Sequence, residues 1–166
     1  MKALGLKGFN ALTERQRMHQ LFEVCSSTIW ARRVLAGAPF RDAEALYDRA
    51  DRALAELPDT EIDAALDGHP RIGARPDNPS SAREQAGVST ATDSIRAELA
   101  TRNAEYEDRF GYVYLVCASG KSAQELLAIL TERLENDPET ERRVMRNELA
   151  KINRLRLERL LTEPAE

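Results

Sequence analysis

A helical period runs through nearly the whole chain and fails in one place, and this constrains the fold more than any other feature. Apolar residues return at spacings of three, four and seven in most stretches. Residues 69–80, HPRIGARPDNPS, hold three of the seven prolines and keep no such period. Proline restricts itself and the residue before it, so this stretch reads as a stiff, extended loop. Around it the helix signals are local. Thr13-Glu14-Arg15-Gln16 has capping-box spacing, and a helix over about 14–25 follows with Leu21, Phe22 and Cys25 on one side. Thr28 to Leu35 continues as a short apolar helix ending at Gly37. Asp42 opens a helix carrying Leu46, Ala50, Ala53, Leu54 and Leu57, which Pro58 ends. Asp59 caps a short helix with Ile62, Ala65 and Leu66, closed by Gly68. Beyond the loop, a polar helix spans about 93–109, and Ser122 to Asn136 places Leu126, Leu127, Leu130 and Leu134 inward. Asp137-Pro138 reads as N-cap and first residue of a last helix running to about Leu161. The run FGYVYLVC reads either as a strand or as a buried helix. No repeat and no dividing linker interrupts the pattern. An all-α fold is expected: residues 1–166 as a single-domain, compact helical bundle of about seven to nine helices, with the proline-rich loop bearing the site.

Composition narrows the chemistry. The chain has 166 residues, 24 Lys+Arg against 28 Asp+Glu, and a net charge of −4. That balance excludes an overall basic nucleic-acid binder. The four lysines are Lys2, Lys7, Lys121 and Lys151, so positive charge is mostly arginine. His19, His69, Cys25 and Cys117 are the only histidines and cysteines, and their spacings suit neither a disulfide framework nor a metal-ligand pair. No metal and no cofactor is expected. No apolar run approaches the roughly 18–20 residues of a membrane span. Cysteines this far apart make a reduced, cytoplasmic compartment the default expectation. MKALGLKGFN has no apolar stretch long enough for a signal peptide, and LLTEPAE carries no retention or peroxisomal tripeptide. Ser119-Gly120-Lys121-Ser122 fails as a phosphate loop, because Leu115 stands where that pattern needs glycine.

Few groups remain for acid–base chemistry. His69 opens the stiff loop and can titrate near neutral pH; the plainer reading is a loop histidine closing a helix end. Ser81, Glu84 and Gln85 follow at spacings of three and four, so one helical face offers a hydroxyl, a carboxylate and a carboxamide. The same S-x-x-E is also a capping box with Ser81 as N-cap. In the last helix Met145, Leu149, Ile152 and Leu160 fall within an arc of about 80°, and Arg156 lies in its middle. An arginine there must meet an anionic ligand, a carbonyl or an internal carboxylate, because an unpaired buried charge is costly.

Four blocks in order, HPRIG at 69–73, SAREQAG at 81–87, FGYVYLVCASGKS at 110–122 and NELAKINRLRLERL at 147–160, resemble the 2-oxo-4-hydroxy-4-carboxy-5-ureidoimidazoline (OHCU) decarboxylases, and CSSTIWARRVLAGAPF resembles that family's first block. The resemblance implies an all-helical, cofactor-free and often dimeric enzyme that forms (S)-allantoin and CO2 from a ureidoimidazoline. Urate oxidase and hydroxyisourate hydrolase would be its pathway neighbours. It implies that His69 is the catalytic histidine, Glu84 the site carboxylate, and an arginine of LRLERL the group that meets the substrate; of Arg154, Arg156 and Arg159, the helical face favours Arg156. Pro70, Ser81 and Gln85 would contact the ligand, and backbone groups from Val113 to Ser119, among them Val113, Val116, Cys117 and Ala118, would bind the ring amides. Two other readings stand beside it: a related lyase acting on another ureido or imidazolone compound, and a non-catalytic helical dimerisation module.

Overall fold

The computed structural model describes residues 4–67, 69, 71–72, 79–88 and 91–162, with only the backbone at 79–81. Among the described residues there are nine α-helices and no strand: α1 (Gly5–Ala11), α2 (Glu14–Val24), α3 (Thr28–Leu35), α4 (Ala43–Ala55), α5 (Asp59–Leu66), α6 (Pro79–Glu84), α7 (Asp93–Phe110), α8 (Ala123–Arg133) and α9 (Pro138–Thr162). A single 3-10 turn, Ala86–Val88, follows α6.

Six of these helix starts are capped by a side chain. Thr13 and Gln16 form the expected reciprocal cap of α2. Ser122 and Glu125 do the same for α8. Asp42 caps α4, and Asp137 accepts from the Thr140 backbone N–H at the start of α9. Gly111, in the left-handed conformation, stops α7. Five details differ from expectation. α1 carries no side-chain cap and no acidic first turn, so no local signal announced it. Pro58, not Asp59, is the residue before α5, and it offers no side-chain cap. Phe22 is 44% exposed, and Val24 takes the buried place on α2. Leu127 and Leu134 are half-buried, while Arg133 is buried. Residues 113–118 are neither strand nor helix.

Contacts divide the chain into two units. One comprises Met1–Gly68 with Ala150–Glu166, the other His69–Leu149. In the first, Phe9, Leu21, Trp30, Leu46, Ile62 and Leu157 are fully buried. The Trp30 indole N–H donates to the Ala50 carbonyl at 3.1 Å, so α3 is pinned to α4 by the one polar atom of its largest side chain. In the second unit, Leu99, Tyr106, Tyr114, Leu126 and Leu130 build one core that also takes in Ile72, Val88, Val116 and Ala118. No helix among the described residues is long and apolar enough to cross a membrane.

Candidate active site

Three stretches that carry expected site residues share the core of the second unit. The first begins at His69, which is half-buried and partnered. Two residues on, Arg71 grips Glu107 of α7 through two nitrogens, with Nε–Oε2 at 2.9 Å and Nη2–Oε1 at 2.8 Å. Ile72 enters the core, and its carbonyl accepts from the buried Asn103 side-chain amide at 3.0 Å. The chain just after His69 is thus fixed to α7 by an ion pair, a hydrogen bond and a buried side chain. Pro70 lies outside the described residues.

The second stretch is α6 and its 3-10 turn. α6 starts at Pro79, where a missing N–H costs nothing. Ser81 therefore sits inside the helix rather than at its N-cap, which removes the capping-box reading; its side chain lies outside the described residues. Glu84 closes α6 and Gln85 follows, both 7% exposed and both partnered. Gly87 explains why they are held so firmly. A Cβ there would stand 2.2 Å from the Lys121 carbonyl oxygen, so only glycine lets this turn pack onto the backbone beside α8.

The third stretch is the irregular segment 113–118. Without a neighbouring strand among the described residues, three of its backbone polar groups are taken up by side chains. Arg133 donates from Nη1 to the Leu115 carbonyl at 2.7 Å. Glu148 Oε1 accepts from the Cys117 N–H at 3.1 Å, and Lys121 Nζ donates to the Cys117 carbonyl at 2.8 Å. The Lys121 N–H donates to the Ala118 carbonyl. The Tyr114 hydroxyl donates to the Leu126 carbonyl. Cys117 thus has both its backbone groups engaged. Among the described residues, none takes up the N–H or C=O of Val113 or Val116.

Behind this segment lies a buried ionic cluster. Arg133 and Glu141 are joined through Nε at 3.1 and 3.0 Å, and the Tyr106 hydroxyl donates to the same carboxylate. Asn136 adds a further donor to Glu141. The Arg133 guanidinium also lies over the rings of Tyr106 and Tyr114. Burial disfavours the Arg133 cation most, but the Glu141 hydrogen bonds together with the electrostatic pull of Tyr106, Glu141 and Tyr114 hold its pKa above the ordinary value. Burial and then the Glu141 hydrogen bond push the Tyr106 phenol up, so it stays a neutral donor. Glu141, Glu148 and Arg133 were not singled out from the sequence. The signal was present: Arg133 follows Leu126 and Leu130 on the buried face of α8, and Glu141 and Glu148 lie four before and three after Met145, along the edge of the stripe that marked Arg156.

Arg156 belongs to the first unit. It is 8% exposed, and Nη1 donates to the carbonyl of Val24, the last residue of α2, at 3.1 Å. A cation at a helix C-terminus satisfies a free carbonyl and complements the helix dipole. Arg154 is occupied elsewhere, paired to Glu44 at 2.9 Å and stacked on Tyr47. Beside Arg156, burial raises the Cys25 thiol to about 11, only partly opposed by Asn153 and Arg156. Cys25 therefore stays a protonated thiol at neutral pH, with no nucleophilic role. Among the described residues no three His, Cys, Asp or Glu side chains are placed to hold a metal ion.

Comparison with known proteins agrees with this arrangement of blocks. The family model described as OHCU decarboxylase matches residues 10–158. The chain belongs to the OHCU decarboxylase family. Among relatives, it is 30% identical to the 2-oxo-4-hydroxy-4-carboxy-5-ureidoimidazoline decarboxylase of Amia calva over 86% of this chain and 82% of that one. It is 33% identical to the uric acid degradation bifunctional protein TTL of Arabidopsis thaliana over 85% of this chain, but spans only 46% of that protein. Its fold is similar to a crystal structure of an OHCU decarboxylase in the presence of (S)-allantoin, with a TM-score of 0.76 and 28% identity over 86% of this chain and 97% of that one. The all-α architecture is therefore the family's own.

Proposed function

We propose that this protein decarboxylates 2-oxo-4-hydroxy-4-carboxy-5-ureidoimidazoline to (S)-allantoin without a cofactor. The observation that carries the reading is the family match over residues 10–158; the resemblance of the HPRIG, SAREQAG and NELAKINRLRLERL blocks supports His69, Glu84 and Arg156 as its site residues. The substrate bears a carboxylate and a hydroxyl on one ring carbon. When the bond to CO2 breaks, its electron pair forms a carbon–carbon double bond, and the adjacent ring C=N takes a proton on nitrogen. The resulting enol loses its hydroxyl proton and gains one on carbon, which sets the allantoin stereocentre. On this reading Arg156 orients an anionic or carbonyl part of the substrate. His69 handles the hydroxyl proton. Glu84 orients the ureido N–H groups or assists His69, and Pro70, Ser81 and Gln85 contact the ligand. Backbone groups of Val113, Val116, Cys117 and Ala118 meet the ring amides. The chain acts as one catalytic domain over 1–166, as a homodimer in the cytoplasm, after urate oxidase and hydroxyisourate hydrolase have acted.

The test generates the substrate in situ from urate with those two enzymes and follows the circular dichroism of the allantoin formed. The wild-type protein accelerates the chiral signal over spontaneous decay. His69→Ala and Glu84→Ala keep the fold and lose about 100-fold or more of that acceleration. Arg156→Ala loses it as well, whereas Arg154→Ala stays near wild type. A wild-type protein with no effect on the signal rejects the reading.

A further inference from the structure

The two peptide groups that flank Val116 are each held at their outer end by a charge of opposite sign. Arg133 Nη1 lies 2.7 Å from the Leu115 carbonyl oxygen. Glu148 Oε1 lies 3.1 Å from the Cys117 nitrogen. Both peptide bonds are trans, so within each plane the N–H and the C=O point in opposite directions. The Leu115 carbonyl shares its plane with the Val116 N–H. The Cys117 N–H shares its plane with the Val116 C=O. A cationic donor on the first draws electron density toward oxygen and makes the Val116 N–H a stronger donor. An anionic acceptor on the second makes the Val116 C=O a stronger acceptor. Val116 is 3% exposed, so water screens these fields little. Glu141 neutralises Arg133 as a pair, yet Nη1 remains aimed at Leu115. Among the described residues Val116 has an unshared donor and acceptor, both polarised, in a protein that spends charged side chains on the neighbouring groups.

We propose that Arg133 and Glu148 are positioning residues that orient and polarise the two Val116 peptide groups to bind the N–H/C=O edge of a ureide ligand. This rests on the function proposed above and adds how the backbone contact is tuned. Lys121 supplies the internal control. Its ammonium holds the Cys117 carbonyl, in a peptide plane that contains no Val116 atom.

The full-length protein, labelled with carbon and nitrogen isotopes, is titrated with (S)-allantoin and followed by NMR. Kinetics are run on the wild type, Glu148→Gln and Lys121→Met. Allantoin moves the Val116 amide proton and the Val116 carbonyl carbon downfield in the wild type. In Glu148→Gln, which keeps an acceptor but loses the charge, the carbonyl shift shrinks while the amide-proton shift is kept. KM rises about 3- to 10-fold with kcat largely preserved, since the bond serves binding. On titration, Lys121→Met, which acts on the plane of the Ala118 N–H, leaves the Val116 carbonyl shift at its wild-type size. The proposal is overturned if saturating allantoin leaves Val116 unmoved, if Glu148→Gln keeps KM within about twofold, or if Lys121→Met shrinks the Val116 carbonyl shift as much as Glu148→Gln does. Should Glu148→Gln fail to fold, the wild-type titration decides alone. A wild-type protein that makes no (S)-allantoin fails the underlying function instead, whatever the variants do.

Discussion

Arg133 and Glu141 show at the level of single residues how this chain spends buried charge. Their side chains are 6% and 0% exposed. Desolvating two ions is expensive, and the cost is recovered only when geometry and further hydrogen bonds satisfy both. Here Tyr106 and Asn136 complete Glu141, while Leu115 and two aromatic rings complete Arg133. Removing one partner strands the other. Glu141→Ala or Arg133→Met should therefore destabilise the fold by about 3–5 kcal/mol in urea unfolding. The double change Arg133→Met with Glu141→Leu recovers part of this, because no lone charge remains, but the Leu115 carbonyl and the Tyr106 hydroxyl still lack partners. A loss below about 1 kcal/mol in either single variant would show that the pair is not a stabilising unit. The double variant also separates stability from binding: it folds, but without a cation on Leu115 its KM rises.

Among the elements, α9 tests how much a local signal is worth. Asp137 accepts from the Thr140 N–H at 2.8 Å and the Thr140 hydroxyl at 2.9 Å. The backbone hydrogen bond first, and the hydroxyl second, lower the Asp137 pKa below 3.8. A depressed folded pKa means the cap's contribution is complete above the unfolded value and is lost as pH falls through the folded one. Asparagine keeps one acceptor but not the second. The thermal midpoint of Asp137→Asn should thus lie below wild type at neutral pH, and the gap should close on acidification to about pH 2. A gap independent of pH would remove the carboxylate from the cap. Caps of this kind at Thr13, Asp42, Ser122 and Asp137 were legible in the sequence because donor and acceptor lie three residues apart. The state of 113–118 was not, because its partners Arg133 and Glu148 lie 18 and 31 positions from the groups they hold. Apolar periodicity found the buried Arg156, since a charge within a stripe is visible along one helix. It could not say that Val24 receives that charge, 132 positions away. Nor could spacing tell that α6 begins at Pro79, before Ser81 rather than at it.

On the scale of the whole molecule, the backbone passes between the two contact units at residues 68–69 and again inside α9 at 149–150. α9 is 25 residues of unbroken helix, about 37 Å long at 1.5 Å per residue. It gives Glu141, Met145, Glu148 and Leu149 to one unit and Ile152, Arg156 and Leu157 to the other. A continuous helix cannot melt in one half without exposing the last hydrogen-bonded turn of the other, so it couples the unfolding of both. The wild-type protein should then unfold in one thermal transition, with calorimetric and van't Hoff enthalpies equal. Ala150→Pro tests the coupling where it is made. The ring removes the hydrogen bond to the carbonyl four residues back and clashes with it, at a cost of about 3 kcal/mol or more. If α9 is the coupler, this variant loses more than its midpoint: its calorimetric enthalpy exceeds the van't Hoff value, and two transitions separate. A variant that melts earlier but still in one step would place the coupling elsewhere than in the continuity of α9.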